Sequence, residues 1–168
     1  MKHLPEPPAD TRGGLHVIFV CWGNICRSPM AERIAEKMAA DAGLQRVRFS
    51  SAATSSEQLG SPIDPRAVRV LARAGYRTSG HRAHRITARE IESASLVVGM
   101  EQVHLDRMSR LVDDTTNMAL MTDFDETAPL GSGIDDPWYG AAPGFELTRE
   151  ELERAMPGLL DWLRRAGA

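Results

Sequence analysis

The chain has 168 residues and a formal net charge of −3 at pH 7, and this length suits one domain with a single core. The charge excludes a general basic field of the kind that attracts nucleic acid or an anionic membrane surface. No apolar run approaches the ~20 residues of a membrane-spanning helix, and the first residues lack the apolar segment of a signal peptide. We therefore expect a cytoplasmic monomer that binds neither nucleic acid nor membrane.

The chain contains two cysteines, Cys21 and Cys26. Two cysteines cannot form a disulfide framework, and a C-x4-C spacing without a distant second pair is unlike a zinc site. We expect a protein without metal or cofactor, in a compartment where thiols stay reduced.

Residues 1–14 contain three prolines, end in two glycines and show no apolar periodicity. This composition predicts a disordered tail ahead of a single domain over residues 15–168.

Residues 17–20, VIFV, form a short apolar run that predicts a strand buried on both faces of a parallel sheet. Gly23 and Asn24 then favour a turn, because both residue types adopt left-handed backbone conformations at low cost. Ser28 is a suitable N-cap and Pro29 a suitable first residue for a helix. The apolar face of this helix repeats every four residues, at Met30, Ile34 and Met38.

Cys21 and Arg27 lie in the pattern C-x5-R-S, between the predicted strand and the predicted helix. The turn and the helix N-terminus would supply a row of N–H donors that binds an oxyanion and favours a thiolate. Arg27 would hold phosphate oxygens in a bidentate manner while the thiolate attacks phosphorus. The spacing alone is weak in a chain with 18 arginines, so a buried structural cysteine is the alternative. The strand and helix on either side favour the phosphate loop.

The next elements alternate between strand and helix patterns. Val47 and Phe49 predict a second strand that ends near Ser51, after a first helix that ends at Gly43. After the polar loop 54–61, Asp64 and Pro65 predict the start of a helix that ends at Gly75, with an apolar face of Val68, Leu71 and Ala74.

The second half of the chain continues this alternation. Thr87 and Glu90 predict a capping box and a short helix, ahead of a buried strand over residues 95–100. Residues 117–121 predict a fourth strand, although their pattern is weak. An amphipathic helix between these strands is predicted from Val103, Met108 and Leu111.

A long loop over residues 122–144 precedes the last predicted helix, and loops of this length inside a domain are usually functional. The helix runs from Phe145 to Leu163 and is expected to be interrupted or kinked near Pro157 and Gly158. The whole pattern predicts an α/β fold: a single domain with a four-stranded parallel, doubly wound sheet and helices on both faces. Ligands bind such sheets at the carboxyl ends of strands, where Cys21 would lie.

Cleavage of a phosphate monoester needs a proton for the departing oxygen and later a base for water, and one carboxyl group can serve both steps. The residues alone leave five candidates open in the long loop: Asp123, Asp125, Glu126, Asp135 and Asp136.

Four segments together resemble the low-molecular-weight protein tyrosine phosphatase family, in its bacterial form. They are VCWGNICRSPMAE at 20–32, DPRA at 64–67, GHRAHRIT at 80–87 and DPWYG at 136–140, and the similarity runs from about Leu15 to the last residue. The resemblance implies a metal-independent enzyme that hydrolyses phosphotyrosine in proteins or peptides through a phosphocysteine.

The resemblance also implies a role for each matching residue. Cys21 would be the nucleophile, Arg27 the phosphate clamp and Asp136 the general acid and base. The phosphate loop would comprise Trp22, Gly23, Asn24, Ile25, Cys26, Arg27 and Ser28. A hydrogen-bond network of Asn24, Ser28, Ser51 and His81 would support this loop. Trp22, Trp138 and Tyr139 would form walls for the substrate.

The resemblance gives Cys26 a protective role, in which it traps oxidised Cys21 as a reversible disulfide. Two positions depart from the family pattern. Glu57 stands where the family often has an aromatic residue, and Trp22 is larger than the usual Leu or Thr. We expect Trp22 to replace the missing wall.

Three other functions compete with this hypothesis. An arsenate reductase on the same fold would need cysteines downstream of Cys26, and the sequence has none. Relatives that dephosphorylate arginine carry Thr at the position of Ile25 and lack an aromatic pair like Trp138 and Tyr139. A catalytically inactive phosphate-binding module would not need a nucleophile, a clamp and an acid together.

Overall fold

The computed structural model describes residues 2–168. Its sheet has four parallel strands: β1 (Leu15–Cys21), β2 (Val47–Ala53), β3 (Leu96–Gly99) and β4 (Met118–Leu120). Its helices are α1 (Arg27–Asp41), α2 (Pro65–Arg73), α3 (Ala88–Ser93), α4 (Gln102–Ser109) and α5 (Pro143–Ala166). Two 3-10 turns, Met121–Phe124 and Pro137–Tyr139, lie in the long loop before α5. The predicted α/β fold is confirmed.

The strand order is β2-β1-β3-β4, so β1 lies at a point where the order reverses. The chain leaves β1 to form β2 on one side and later returns to form β3 on the other. Cys21 is the last residue of β1 and pairs with Ala53 of β2. The nucleophile candidate therefore lies at the crevice where doubly wound sheets bind ligands.

The two faces of the sheet carry separate apolar cores. The larger core joins Val17 and Phe19 of β1 to apolar side chains of α1, α2 and α5. The smaller core joins Ile18 and Val20 to side chains of α3 and α4. Alternate residues of one strand enter opposite cores because side chains alternate across a sheet. Helices therefore cover both faces, as predicted.

Helix starts test the sequence predictions closely. Asp64 caps α2 by accepting a hydrogen bond from the N–H of Arg66, and Thr87 and Glu90 form the predicted capping box of α3. Ser28 does not cap α1, because the helix begins one residue earlier, at Arg27. The prediction of Ser28 as N-cap is therefore wrong, and its hydroxyl has other partners.

The later helices differ from the predictions in two ways. The buried positions of α4 are His104 and Met108, whereas Val103 is exposed, so the predicted apolar face is only partly correct. The α5 helix runs through Pro157 without the predicted interruption. The next residue has to be glycine, because a Cβ added at Gly158 would lie 2.0 Å from the carbonyl oxygen of Phe124.

Residues 2–14 contain no helix or strand, but they lie against the domain, unlike a free tail. Leu4 packs on the larger core, and the indole N–H of Trp162 donates a 2.8 Å hydrogen bond to the carbonyl of Pro5. The ammonium of Lys2 donates to the carbonyls of Thr122 and Asp125. These contacts tie the start of the chain to α5 and to the first turn of the long loop.

Among residues 2–168, every helix is too short or too polar to span a lipid bilayer.

Candidate active site

In the loop between β1 and α1, backbone carbonyl groups are hydrogen-bonded to the surrounding structure, whereas the N–H groups lack an acceptor among residues 2–168. Its carbonyl groups accept hydrogen bonds from the surrounding structure: Cys21 from Thr54, Trp22 from Ser55, and Ile25 from Asp64. Within the part of the chain that the structure describes, the N–H groups of residues 22–27 donate to no protein acceptor. A row of free N–H groups at a helix N-terminus is an anion-binding arrangement.

Asn24 holds this loop in shape. Its backbone has a φ of 60°, the left-handed region, and it is the only residue other than glycine with a positive φ within residues 2–168. Its side-chain amide donates to the hydroxyls of Ser28 and Ser51, at 2.8 and 3.0 Å. His81 donates from Nε2 to the Asn24 carbonyl at 2.6 Å. The structure thus brings the four predicted loop-supporting residues together.

The network continues beneath the loop. The Ser51 hydroxyl donates to Oε2 of Glu32 at 3.2 Å, and burial raises the pKa of that carboxyl group. Burial lowers the pKa of His81, which favours a neutral ring. A buried neutral imidazole still donates one hydrogen bond, so His81 serves the Asn24 carbonyl without carrying charge.

Ser28 contacts the sulfur of Cys21 twice. Its hydroxyl lies 3.0 Å from Sγ, and its backbone N–H donates to Sγ at 3.4 Å. This contact explains why Ser28 lies inside the first turn of α1 and does not cap it. Both groups are placed to stabilise a thiolate at Cys21.

Arg27 is 2% exposed and holds three groups together. One terminal nitrogen pairs with Glu101 and donates to the carbonyl of Ile134 at 2.8 Å. The other lies 3.3 Å from Oδ2 of Asp136. Arg27 therefore links the phosphate loop to the long loop that carries Asp136, and its orientation is fixed from outside the cavity.

Sequence reasoning did not find Glu101. It lies two residues after the end of β3 at Gly99, at the carboxyl edge of the sheet where Cys21 also lies. The only sequence signal for its role was a carboxylate close to the end of a predicted strand, because no local pattern connects Arg27 with Glu101.

Asp136 caps the second 3-10 turn of the long loop and accepts the N–H of Trp138 at 3.0 Å. Arg66 supports this turn, since its guanidinium lies 5.1 Å from the ring centroid of Trp138 and 4.6 Å from that of Phe145. The two aromatic residues differ in exposure, since Tyr139 is 88% exposed and Trp138 is 42% exposed.

The candidate active site is a cavity of about 110 Å³. Its floor is Cys21 and the phosphate loop, and Arg27 and Asp136 line it together with Trp138 and Tyr139. Its other edge contains Trp22, Glu57 and Gln58. The structure therefore brings the three predicted catalytic residues and all three predicted wall residues to one cavity.

Trp22 and Glu57 are direct neighbours, which the sequence did not indicate. The indole N–H of Trp22 donates to Oε2 of Glu57 at 3.2 Å. On the ring face of Trp22, the guanidinium of Arg107 lies 4.6 Å from the centroid. One edge of the cavity is thus an indole ring held between an acid and an arginine.

Cys26 is a buried free thiol that lines the same cavity. Burial raises its pKa, and the negative charge of Asp64 adds to the effect. Cys26 is therefore a neutral thiol at pH 7. Its protective role stays a prediction.

The comparisons with known proteins agree with this geometry. The family model described as low molecular weight phosphotyrosine protein phosphatase matches residues 16–168. A low molecular weight protein-tyrosine phosphatase A from Mycobacterium tuberculosis is 37% identical over 151 residues, which cover 89% of this chain and 91% of that protein.

Solved structures show the same likeness. YfkJ from Bacillus subtilis superposes with a TM-score of 0.86 at 26% identity, covering 94% of this chain and 99% of that one. The YwlE arginine phosphatase superposes with a TM-score of 0.78 at 27% identity, covering 90% and 97%. With a family model that spans almost all of its length, this chain belongs to the low molecular weight phosphotyrosine protein phosphatase family.

Proposed function

We propose that this enzyme hydrolyses phosphotyrosine in proteins through a phosphocysteine at Cys21. The observation that carries the proposal is the cavity in which Cys21, Arg27 and Asp136 meet above a row of free N–H groups. A nucleophile, a clamp for the equatorial oxygens and a carboxyl group are the parts that metal-free phosphoryl transfer needs.

In the first step, the Cys21 thiolate attacks phosphorus from the floor of the cavity. The loop N–H groups and Arg27 hold the three equatorial oxygens, and the bond from phosphorus to the tyrosine oxygen breaks. Asp136 gives its proton to that oxygen, so tyrosine leaves as a neutral phenol. Glu101 and the Ile134 carbonyl hold Arg27 in the orientation that this step requires.

In the second step, Asp136 accepts a proton from water, and the water oxygen attacks the phosphocysteine. The sulfur leaves as a thiolate and inorganic phosphate is released. The Ser28 hydroxyl and N–H stabilise the departing thiolate, which restores the enzyme to its starting state.

The depth of the cavity favours tyrosine over serine. Cys21 is buried below Trp138 and Tyr139, so a phosphate must be carried on a stem long enough to pass them. A phenyl ring reaches that depth and contacts the aromatic walls, whereas the short stem of phosphoserine would leave its phosphate too far from sulfur.

Arginine dephosphorylation is the second candidate, since the YwlE arginine phosphatase shares the fold. The side chain at Ile25 lines the cavity and offers no hydroxyl to a guanidinium. Burying that polar group without a partner is costly, so we expect phosphoarginine to be a poor substrate. Comparison of kcat/KM on matched peptides that carry each phosphoresidue tests this preference.

Two substitutions test the mechanism. Cys21→Ser should abolish turnover of p-nitrophenyl phosphate and still bind vanadate, because the loop and Arg27 remain. Arg27→Lys should also fail, since an ammonium cannot reproduce the planar guanidinium fork. Near wild-type rates in either variant would reject the mechanism.

Asp136→Asn tests the general acid. It should slow hydrolysis of phosphotyrosine by roughly 10²–10⁴-fold and slow aryl phosphates with acidic phenols much less, because those leaving groups need no proton. Equal losses across leaving groups would assign the proton to another carboxyl group, with the neighbouring Asp135 as the first to test.

A further inference from the structure

A second cavity, of about 160 Å³, is lined by Arg107, which contacts Trp22 at the edge of the catalytic cavity. Its lining contains Arg85, Arg107 and Arg110, which we call the arginine groove. The two cavities meet at one contact, because Arg107 of the groove stacks on Trp22 of the catalytic cavity with 4.6 Å between guanidinium and ring centroid. A ligand group beside the rim of the active site would therefore lie within reach of the groove.

The groove is built on fixed elements. Arg85 lies in a bridge with Ala53 at the end of β2, and the next residue donates its N–H to the Ala53 carbonyl at 2.8 Å. Arg107 lies in the last turn of α4, and Arg110 follows that helix. The base is apolar, since Ile86 and Met108 of the smaller core line it.

The positive charge of the groove is not compensated. Within residues 2–168, none of its three arginines forms an ion pair, and no carboxylate lines the cavity. Arg107 donates from one terminal nitrogen to the Thr54 carbonyl at 3.0 Å, but its Nε is buried and has no hydrogen-bond partner among those residues. Arg85 and Arg110 are exposed, so an anion that enters the groove can pair with both of their guanidinium groups. A cluster of three arginines without an ion pair among the described residues is unusual in a chain whose net charge is −3.

We propose that the arginine groove binds an anionic side chain, either a carboxylate or a second phosphate group, on the same protein whose phosphotyrosine occupies the catalytic cavity. This inference rests on the proposed function and specifies the substrate class: proteins with an acidic or phosphorylated residue close to the phosphotyrosine. An extended peptide advances about 3.3–3.6 Å per residue, so a side chain one to three residues away spans the width of Trp22.

Glu57 gives the arrangement a direction. It lies at the rim of the catalytic cavity and holds the indole N–H of Trp22, so it repels an anion on its own side. The groove attracts an anion on the side of Arg107. A peptide with an acid on one flank of the phosphotyrosine and none on the other is thus the best match to the surface.

The test compares phosphotyrosine peptides that differ at one position. One series has alanine at every flanking position, and the others place Glu, phosphoserine or Lys singly at each of the three positions before and after the phosphotyrosine. For the wild-type enzyme we expect kcat/KM to be about 2- to 5-fold higher with an anion on one flank than with alanine. Lysine there should lower it.

The double variant Arg85→Gln/Arg110→Gln should bring the ratio of acidic to neutral peptide close to one. Arg107 is left intact because it supports Trp22. The matched control is Arg69→Gln, which removes an exposed charge from α2 on the opposite face of the sheet and should keep the wild-type ratio. Rates on p-nitrophenyl phosphate, which is too small to reach the groove, normalise each variant.

The outcomes separate the groove from the catalytic proposal. A higher kcat/KM with Glu, with phosphoserine or with both than with alanine supports the groove as an anion site. A ratio near one in the wild type, or a ratio unchanged in the double variant, overturns it. If p-nitrophenyl phosphate is not hydrolysed, the proposed function fails instead. Fluorescence anisotropy of the same labelled peptides with Cys21→Ser then decides the groove by affinity alone, with the same ratios expected.

Discussion

Asn24 combines an unfavourable backbone conformation with a full set of side-chain hydrogen bonds. Its amide nitrogen serves Ser28 and Ser51, and its amide oxygen accepts the N–H of His84 at 3.1 Å. Glycine and asparagine adopt a φ of 60° at low cost, and only an amide side chain can both donate and accept in this way. The two requirements can be separated by substitution.

We expect Asn24→Gly and Asn24→Ala both to lower the free energy of unfolding by about 2–4 kcal/mol, because each removes three side-chain hydrogen bonds. For Asn24→Ala the free energy of unfolding should fall by a further ~1 kcal/mol, which is the cost of the left-handed region for a residue with Cβ. Urea unfolding measures both values. If alanine proved as stable as glycine, the backbone at this position would carry no strain.

His104 is fully buried beside Arg27 and was not found from the sequence. Its Nδ1 accepts the N–H of Glu101 at 3.0 Å, so it fixes the residue that pairs with Arg27. Burial lowers its pKa to about 3, and the charges of Arg27 and Arg107 add to the effect. The folded state therefore binds a proton at His104 less readily than the unfolded state.

The sign of the pH dependence follows. Between about pH 6.5 and pH 3 the unfolded state carries one more proton at this residue, so stability falls as the pH falls. The contribution is up to ~1.4 kcal/mol per pH unit within that window. In His104→Asn, which keeps an acceptor near Nδ1 but does not titrate, the slope from pH 6.5 to 5 should be smaller by about this amount. Parallel slopes in urea titrations would refute it.

At this scale the sequence predicts the residues that lie close together in the chain. Cys21, Arg27 and Ser28 fall within eight positions, and their chemistry is readable from spacing and residue type. Glu101 could not be predicted, because its partner Arg27 lies 74 positions away, and His104 matters only through its hydrogen bond to Glu101. Their role depends on β3 ending next to β1, which no local pattern expresses.

The elements show a related limit. Caps were predicted correctly where donor and acceptor lie within three residues, as at Thr87 and Glu90. Ser28 was misassigned because its hydroxyl has a tertiary partner, the sulfur of Cys21, that a local rule does not consider. The predicted interruption of α5 is absent for a related reason. The helix is stabilised by its packing on α1, α2 and the first 3-10 turn, which outweighs the hydrogen bond lost at Pro157.

Gly158 lets α5 approach the long loop closely. An alanine Cβ there would lie 2.0 Å from the Phe124 carbonyl oxygen, a backbone atom that cannot move aside. We expect Gly158→Ala to lower the free energy of unfolding by at least ~2 kcal/mol. It should also reduce kcat on phosphotyrosine, since Phe124 lies in the first turn of the loop that carries Asp136.

Gly144→Ala is the matched control in the same helix. Its Cβ would lie 3.8 Å from Pro137, an ordinary contact, and alanine favours a helix more than glycine does. This variant should be as stable as the wild type or slightly more stable. Equal effects of the two substitutions in thermal unfolding would show that the approach of α5 to Phe124 is not tight.

On the scale of the whole molecule, the N-terminal segment joins two distant parts of the chain. Leu4 packs on the larger core and Lys2 holds the turn from which the acid-bearing loop begins. We expect Leu4→Ala to lower the free energy of unfolding by about 1–2 kcal/mol, through loss of half-buried apolar area. His3→Ala, at an exposed neighbour, should change it by less than ~0.5 kcal/mol. Equal stability of the two variants would indicate that the segment does not contribute.

The three tryptophans of this chain give it built-in optical reporters. Trp22 and Trp138 line the catalytic cavity, whereas Trp162 is buried in α5 and binds the carbonyl of Pro5. Phenylalanine at positions 22 and 138 would leave a single indole whose emission responds to release of the N-terminal segment. The complementary change, Trp162→Phe, would leave emission that responds to occupancy of the cavity. Ligand binding in the catalytic cavity and release of the N-terminal segment could then be followed separately in the same enzyme without any attached dye.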